Sequence, residues 1–336
     1  MLIIFVYALI TVCVNGLTLT QSDVESQWIA FKKQFRDTDY QSIGSSDESI
    51  RRQIFEHNYR DIVNYNTEAE QGLHSFKLGV NQFTDWTTEE YQSWLNKFDH
   101  GTFATKSNVR PVSSNNSLIK LPDSVDWRQK GAVTPIKDQG SCGSCWAFAA
   151  VGGIEGQIAI KQGKLLSLSE QELLDCTYSG TGCNGGSPTE AYNTLAQRLH
   201  GIQNEQTYPY RGVAGTCRAD VSRSVAKIQR AHTIFGGNEA LLQQTIANVG
   251  PVAICFDASL ASFKQYSSGV YSVSGCDTYN SNHCVTVVGY GTESGHDYWL
   301  LKNSWNTRWG EAGYMKLARN HHNMCGVASW GVYPEV

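Results

Sequence analysis

The sequence predicts an α+β protein: a small helical unit, then a lobe built around one buried helix, then a lobe of short strands. Three observations predict it. Residues from about 17 to 118 contain no cysteine and carry their apolar side chains on helical stripes. Trp146, Ala147, Phe148, Ala149, Ala150 and Val151, continued at i+4 spacing by Ile154 and Ile158, read as a helix that is apolar all round. Beyond about Ala231 the chain changes to short β-type runs separated by glycines. A helical half followed by a β half suggests two packed lobes with a cleft between them, a common place for a substrate site.

The first sixteen residues include Leu2, Ile3, Ile4, Phe5, Val6, Leu9 and Ile10, with Val14 and Gly16 placed for cleavage. This stretch is too short to span a bilayer and reads as a secretory signal peptide, although it has no lysine or arginine. No later stretch is long and apolar enough to cross a membrane, so the mature protein is expected to be soluble. A formal charge of −4 gives no reason to expect nucleic acid or a membrane surface as a partner. Of ten cysteines, Cys13 would leave with the signal. An odd number then remains in an oxidising compartment, which points to at least one free thiol.

In the N-terminal unit, Trp28, Phe31 and Phe35 form one stripe. Ile54, Asn58 and Ile62 share a face of a second helix, with Phe55 and Tyr59 beside it. Residues 99 to 117 have linker composition, where proteolytic nicking concentrates. Asn115 there opens the only N-x-S/T sequon, so a glycan is expected to leave with the N-terminal unit. The mature chain is expected to begin near Leu118 to Leu121, with Pro122 close to its start. Ser169-Glu170-Gln171-Glu172 before Leu173 and Leu174 reads as a capped helix start. Val252–Phe256, Val285–Tyr290, Tyr298–Lys302 and Gly313–Leu317 read as strands.

The chemistry concentrates in Gln139-Gly-Ser-Cys-Gly-Ser-Cys-Trp-Ala-Phe148. Cys145 falls at the N-terminus of the apolar helix, where unpaired N–H groups and the helix dipole favour a thiolate. A zinc site would need a second pair of ligands at short spacing, and no other C-x-x-C or H-x-x-x-H occurs. A disulfide oxidoreductase using Cys142 and Cys145 would want a short βαβ chain in a reducing context. The Cys-Gly-Ser-Cys-Trp run resembles the known signature of papain-like cysteine proteases. Arg51, Ile54, Phe55, Asn58, Ile62 and Asn66 resemble the interspersed prosegment pattern of the cathepsin L-like subfamily, with Asp47 where that pattern has Glu. Gly79-Val-Asn-Gln-Phe-Thr-Asp85 is similar to its second prosegment motif.

The resemblance implies a papain-like two-lobe fold, a helical lobe at about 119–230 and a β-barrel lobe at about 231–336. It also implies an inhibitory helical prodomain at 17–118 behind a signal peptide at 1–16. His283 and Asn303 match the family's base and orienting amide. The spacing from Cys145 to His283 lies within the papain-type range of roughly 130–150 residues, and Asn303 lies just beyond it. Cys145 and His283 would form a thiolate–imidazolium pair, Asn303 would orient the ring, and Gln139 would donate to the oxyanion. Trp305 would cover the His–Asn bond, with Trp309 beside it on the substrate wall.

By the same resemblance Cys142 pairs with Cys183, Cys176 with Cys217, and Cys276 with Cys325. Cys255 and Cys284 are left as free thiols or a fourth bridge, free thiols being favoured because free cysteine packs like a small hydrophobe. Gly185 and Gly186 would let a peptide backbone approach. Ser187, Pro188, Cys255, Ser281 and Cys284 would wall the specificity pocket and Trp330 would floor it, making it shallow if the indole points inward. The implied protein is a monomeric cysteine endopeptidase, lysosomal or secreted, made as a zymogen and needing no cofactor. Its partners would be protein and peptide substrates, its own prodomain and cystatin-type inhibitors. Low pH would loosen the prodomain by protonating carboxylates such as Asp85. The alternative is a non-catalytic homologue acting as a binding protein.

Overall fold

The structure, a computed structural model, describes residues 19–36, 48–95, 110–111, 120–177 and 182–336. The signal peptide, Asp47 and the sequon at Asn115 lie outside the described residues.

The N-terminal unit opens with α1 (Gln21–Phe31), capped reciprocally by Thr20 and Asp23. It continues through α2 (Glu48–Glu70), β1 (Phe76–Leu78) and α3 (Thr88–Trp94). The stripe of Trp28, Phe31 and Phe35 packs on Phe55 as a separate aromatic core. The inner face of α2 is set by Arg51, Phe55 and Ile62, which are buried, while Ile54 is only half-buried. An arginine took the place the apolar pattern could not anticipate: Arg51 holds Glu90 in a two-pronged ion pair and donates to the Asp85 carbonyl at 2.7 Å.

Beyond residue 120, α4 (Cys145–Gln162) is buried along most of its length. It packs with α5 (Glu170–Cys176) and α6 (Pro188–Thr194) in one core. Ser169 caps α5 by accepting from the Glu172 N–H. The Glu172 carboxylate does not close the box but accepts from the Gln203 N–H at 2.7 Å. The second core lies in a mixed sheet. From β1 it runs through β6 (Tyr266–Tyr271), β9 (Tyr314–Ala318), β8 (His296–Lys302), β7 (His283–Glu293), β5 (Val252–Phe256) and β10 (Trp330–Glu335), and ends with β4 (Arg230–Phe235) and β2 (Arg110–Pro111), with β3 (Val125–Asp126) paired to β7 off this path. Two short segments of the N-terminal chain thus extend the main sheet, β1 antiparallel on β6 and β2 parallel on β4. No helix among the described residues is long and apolar enough to cross a membrane.

The two cores meet along α4. A Cβ on Gly152 would stand 2.4 Å from the Thr286 hydroxyl of β7, so only glycine allows this approach. Thr286 uses the closeness to donate to the Ala149 carbonyl at 3.2 Å. Beneath the contact, Lys137 pairs with Glu155 and Glu170, and Lys302 donates to Thr134, so buried charges are partnered rather than stranded.

Candidate active site

Cys145 is the first residue of α4, is buried, and is the only cysteine among the described residues outside a disulfide. His283 opens β7, and Asn303 follows the last residue of β8. Antiparallel pairing of these strands, with Thr286 opposite Lys302, brings the two together. His283 Nε2 lies 2.8 Å from Asn303 Oδ1, which leaves Nδ1 as the second ring nitrogen. Trp305 stacks on the imidazole at 4.6 Å, and Phe256 and Phe263 close its flanks. This burial pushes the imidazole pKa down to about 4, the Asn303 hydrogen bond working against it.

Gln139 is held from both sides. Its backbone N–H donates to the Ser304 carbonyl at 2.9 Å, and the Ser304 hydroxyl donates to its side-chain oxygen at 2.7 Å. The side-chain nitrogen is thereby turned toward the Cys142–Cys145 loop and donates to the Cys142 carbonyl at 2.9 Å. Ser304 escaped the sequence reading because nothing in its local pattern marks it apart from the Asn-Ser-Trp run that contains it.

The residues expected on the substrate side divide. Gly185 adopts φ +114°, and Gly186 lies against Trp146 so closely that a Cβ would meet the indole at 2.4 Å. Ser187, Pro188 and Ser281 are buried. Trp330, Cys255 and Cys284 stand abreast across β10, β5 and β7. Trp330 is half-buried, edge-on to Phe235, and lines an open groove of about 700 Å³ with Gly236, Tyr279 and Asn323.

The expectation of free thiols at Cys255 and Cys284 is corrected: they form a disulfide. The reason is register. The two residues are directly opposed on antiparallel strands with Cα atoms 4.1 Å apart, close to the reach of a bridge, and strand register cannot be read from a single run. The bridges Cys142–Cys183, Cys176–Cys217 and Cys276–Cys325 also form.

The N-terminal unit sits on this wall. Phe83, Tyr91 and Trp94 pack around Trp305, with Phe83 5.1 Å away, and Gln82 donates to the Trp305 carbonyl at 3.1 Å. Trp309 packs edge-on behind Trp305. Asn81 donates to the Lys264 carbonyl at 2.9 Å and Tyr91 to that of Ala258 at 2.7 Å. The expected role of Asp85 in acid release is also corrected. Burial pushes its carboxyl up despite Arg36, so the folded propeptide takes up that proton more readily than an unfolded one, and protonating Asp85 does not drive release. Glu90 behaves in the opposite way. Burial alone would raise it, but hydrogen bonds from Arg51 and the Thr87 N–H outweigh that and hold it below the usual carboxylate range. Its contribution is present above the ordinary carboxylate value and is lost as pH falls through the depressed one.

A buried, unbridged thiol at a helix start, an imidazole held by an asparagine, and an N-terminal segment packed on the tryptophan that stacks on that ring define a thiol hydrolase held in a covered state. The chain belongs to the papain family of cysteine proteases, whose family model matches residues 121–335. A cathepsin propeptide inhibitor domain matches residues 28–91. Cathepsin S of Bos taurus is 42% identical over 98% of this chain and 99% of its own length. A cathepsin L-like peptidase of Aedes aegypti is 43% identical over 93% of this chain and 94% of its own. Digestive procathepsin L 3 from the larval midgut of Tenebrio molitor superposes with a TM-score of 0.84 at 37% identity, over 93% of this chain and 99% of that structure. The protein is a cysteine endopeptidase zymogen with its own propeptide as intramolecular inhibitor.

Proposed function

We propose that Cys145 is the nucleophile, His283 its base and acid, Asn303 the group that orients the ring, and Gln139 with the Cys145 N–H the donors to the oxyanion. What carries this reading is the one unbridged thiol at a buried helix N-terminus combined with the 2.8 Å His283–Asn303 contact. With Nε2 engaged by the amide, Nδ1 is the nitrogen available to exchange a proton with sulfur. The thiolate attacks the peptide carbonyl, His283 hands its proton to the leaving amine, and water hydrolyses the thioester. Departure of the layer over Trp305 rehydrates the ring, lifts its pKa and allows the thiolate–imidazolium pair to form.

The boundaries follow the same reading: a signal peptide at 1–16, a prodomain at 17–118 carrying any glycan at Asn115, and a peptidase at 119–336. Entry to the secretory pathway, a lysosomal or extracellular destination, a monomeric state and inhibition by cystatin-type proteins complete the proposal. Cys145→Ala in acid-processed protein is expected to reduce kcat on a fluorogenic peptide by at least about 10³-fold. Turnover equal to the wild type would overturn the assignment.

A further inference from the structure

Tyr210 has no place in the chemistry just described, yet it touches both ends of the loop that carries it. Its hydroxyl donates to the Gln139 carbonyl at 2.8 Å and lies 2.6 Å from the Ser144 hydroxyl. A phenol has one proton, and the carbonyl can only accept. The proton therefore goes to Gln139, and the Ser144 hydroxyl must donate to the phenol oxygen.

Ser144 is the N-cap of α4, where a serine side chain ordinarily accepts from the first turn. Here it makes no capping hydrogen bond. Its hydroxyl is committed to the tyrosine instead, at the residue immediately before Cys145. The tyrosine is itself fixed. Its ring stands edge-on to Phe148 at 5.0 Å, and its backbone N–H donates to the Glu205 carboxylate at 2.9 Å. Glu205 belongs to the buried charge cluster around Lys137, 3.7 Å away.

The other supports of this loop act on one end or on the middle. Ser304 reaches Gln139 from the strand side, and the Cys142–Cys183 bridge holds the centre. Only the phenol oxygen, among the contacts described above, joins the two residues on which the proposed oxyanion donors depend. Such donors stabilise a transition state only if they are aimed in advance, since a donor that must swing into place loses much of its effect.

We propose that Tyr210 is a positioning residue that sets the separation of the two oxyanion donors by clamping the Gln139 carbonyl and the Ser144 hydroxyl to one atom. The inference rests on the donor assignment above. Tyr210→Phe keeps the ring on Phe148 and removes both hydrogen bonds.

In acid-processed enzyme, Tyr210→Phe is expected to lower kcat by about tenfold with KM within about twofold. The Ki of a peptide aldehyde, which forms a tetrahedral adduct with the thiol, should rise by a similar factor. Alkylation of Cys145 by iodoacetamide, which builds no oxyanion, should stay within about twofold of wild type. An unchanged aldehyde Ki overturns the proposal, as does an alkylation rate that falls in step with kcat. Should Tyr210→Phe not fold, Ser144→Ala cuts one arm alone and is expected to raise the aldehyde Ki by about threefold; no rise overturns the proposal equally. Gln139→Ala separates the two ideas. If it leaves the aldehyde Ki unchanged, the donor assignment itself fails. If it raises the Ki while Tyr210→Phe does not, only the clamp fails.

Discussion

The four disulfides among the described residues lie between Cys142 and Cys325, whereas residues 19–36 and 48–95 are held to the enzyme by aromatic packing and hydrogen bonds. Both regions bury charge, but in different surroundings. Between the lobes Lys137 and Lys302 sit among Glu155, Glu170 and Thr134. Under the propeptide Lys264 is fully buried and donates to the Trp86 carbonyl at 2.8 Å, with no carboxylate among the described residues in hydrogen-bond contact. The peptidase is built to persist, and the propeptide contact is built from interactions that solvent conditions can undo. Covalent ties resist acid, while a desolvated ammonium and a depressed carboxylate do not.

The largest effect expected to sharpen this contrast is at Phe83, the side chain seated on Trp305. In a Cys145→Ala background, which prevents self-processing, Phe83→Ala should weaken propeptide docking by about 3–5 kcal/mol. Protease susceptibility of the propeptide across a urea series would read this, while the melting transition of the peptidase stays in place. Equal movement of both transitions would break the distinction.

The converse test is the Cys255–Cys284 bridge, which closes a loop of sequence separation 29. The double substitution Cys255→Val with Cys284→Ala should cost the peptidase about 3–4 kcal/mol by the loop-entropy account. Thermal unfolding measures it. Because Ala258 and Lys264 lie inside that loop, a larger loss in propeptide docking than in peptidase stability would show that the bridge serves the zymogen first.

The smallest effect concerns pH. Burial pushes Lys264 down to about 8, the carboxylates of Glu90, Asp85, Glu89 and Asp61 pulling the other way. For a base with a lowered pKa the docked state binds fewer protons than the open one. The penalty is therefore complete below about pH 8, and docking strengthens as pH rises from there toward the ordinary lysine value. The urea midpoint for propeptide release should accordingly climb between about pH 7.5 and 9.5, by up to about 1–2 kcal/mol, and Lys264→Met should flatten that climb. A slope identical in both proteins would remove Lys264 from the release mechanism.

Much of the molecule was legible in one dimension because its signals are local. The apolar run after Cys145 can only be a buried helix, and it forms over Cys145–Gln162. Val252–Phe256 was readable as a strand from its composition and forms over the same residues. His283 and Asn303 were found by family motif and spacing, and the strands that bear them meet as that reading requires. Where chemistry depended on which residue lies opposite which, the linear pattern fell short. It favoured free thiols over a fourth bridge at Cys255 and Cys284, set Ile54 on the stripe of α2 with Phe55 beside it, and gave Asp85 a part in acid release.

By itself, then, the sequence determined the helices, the principal strands of the β half and the reactive motif, since helical period, strand composition and residue spacing are properties of neighbouring residues. Only the tertiary structure decided the fourth disulfide, the two N-terminal strands on the peptidase sheet, the buried Lys264 and the hold of Ser304 and Tyr210 on Gln139. Each of these joins residues far apart in the chain, so its energy depends on register, burial and the direction of single hydrogen bonds, none of which any local window of sequence contains.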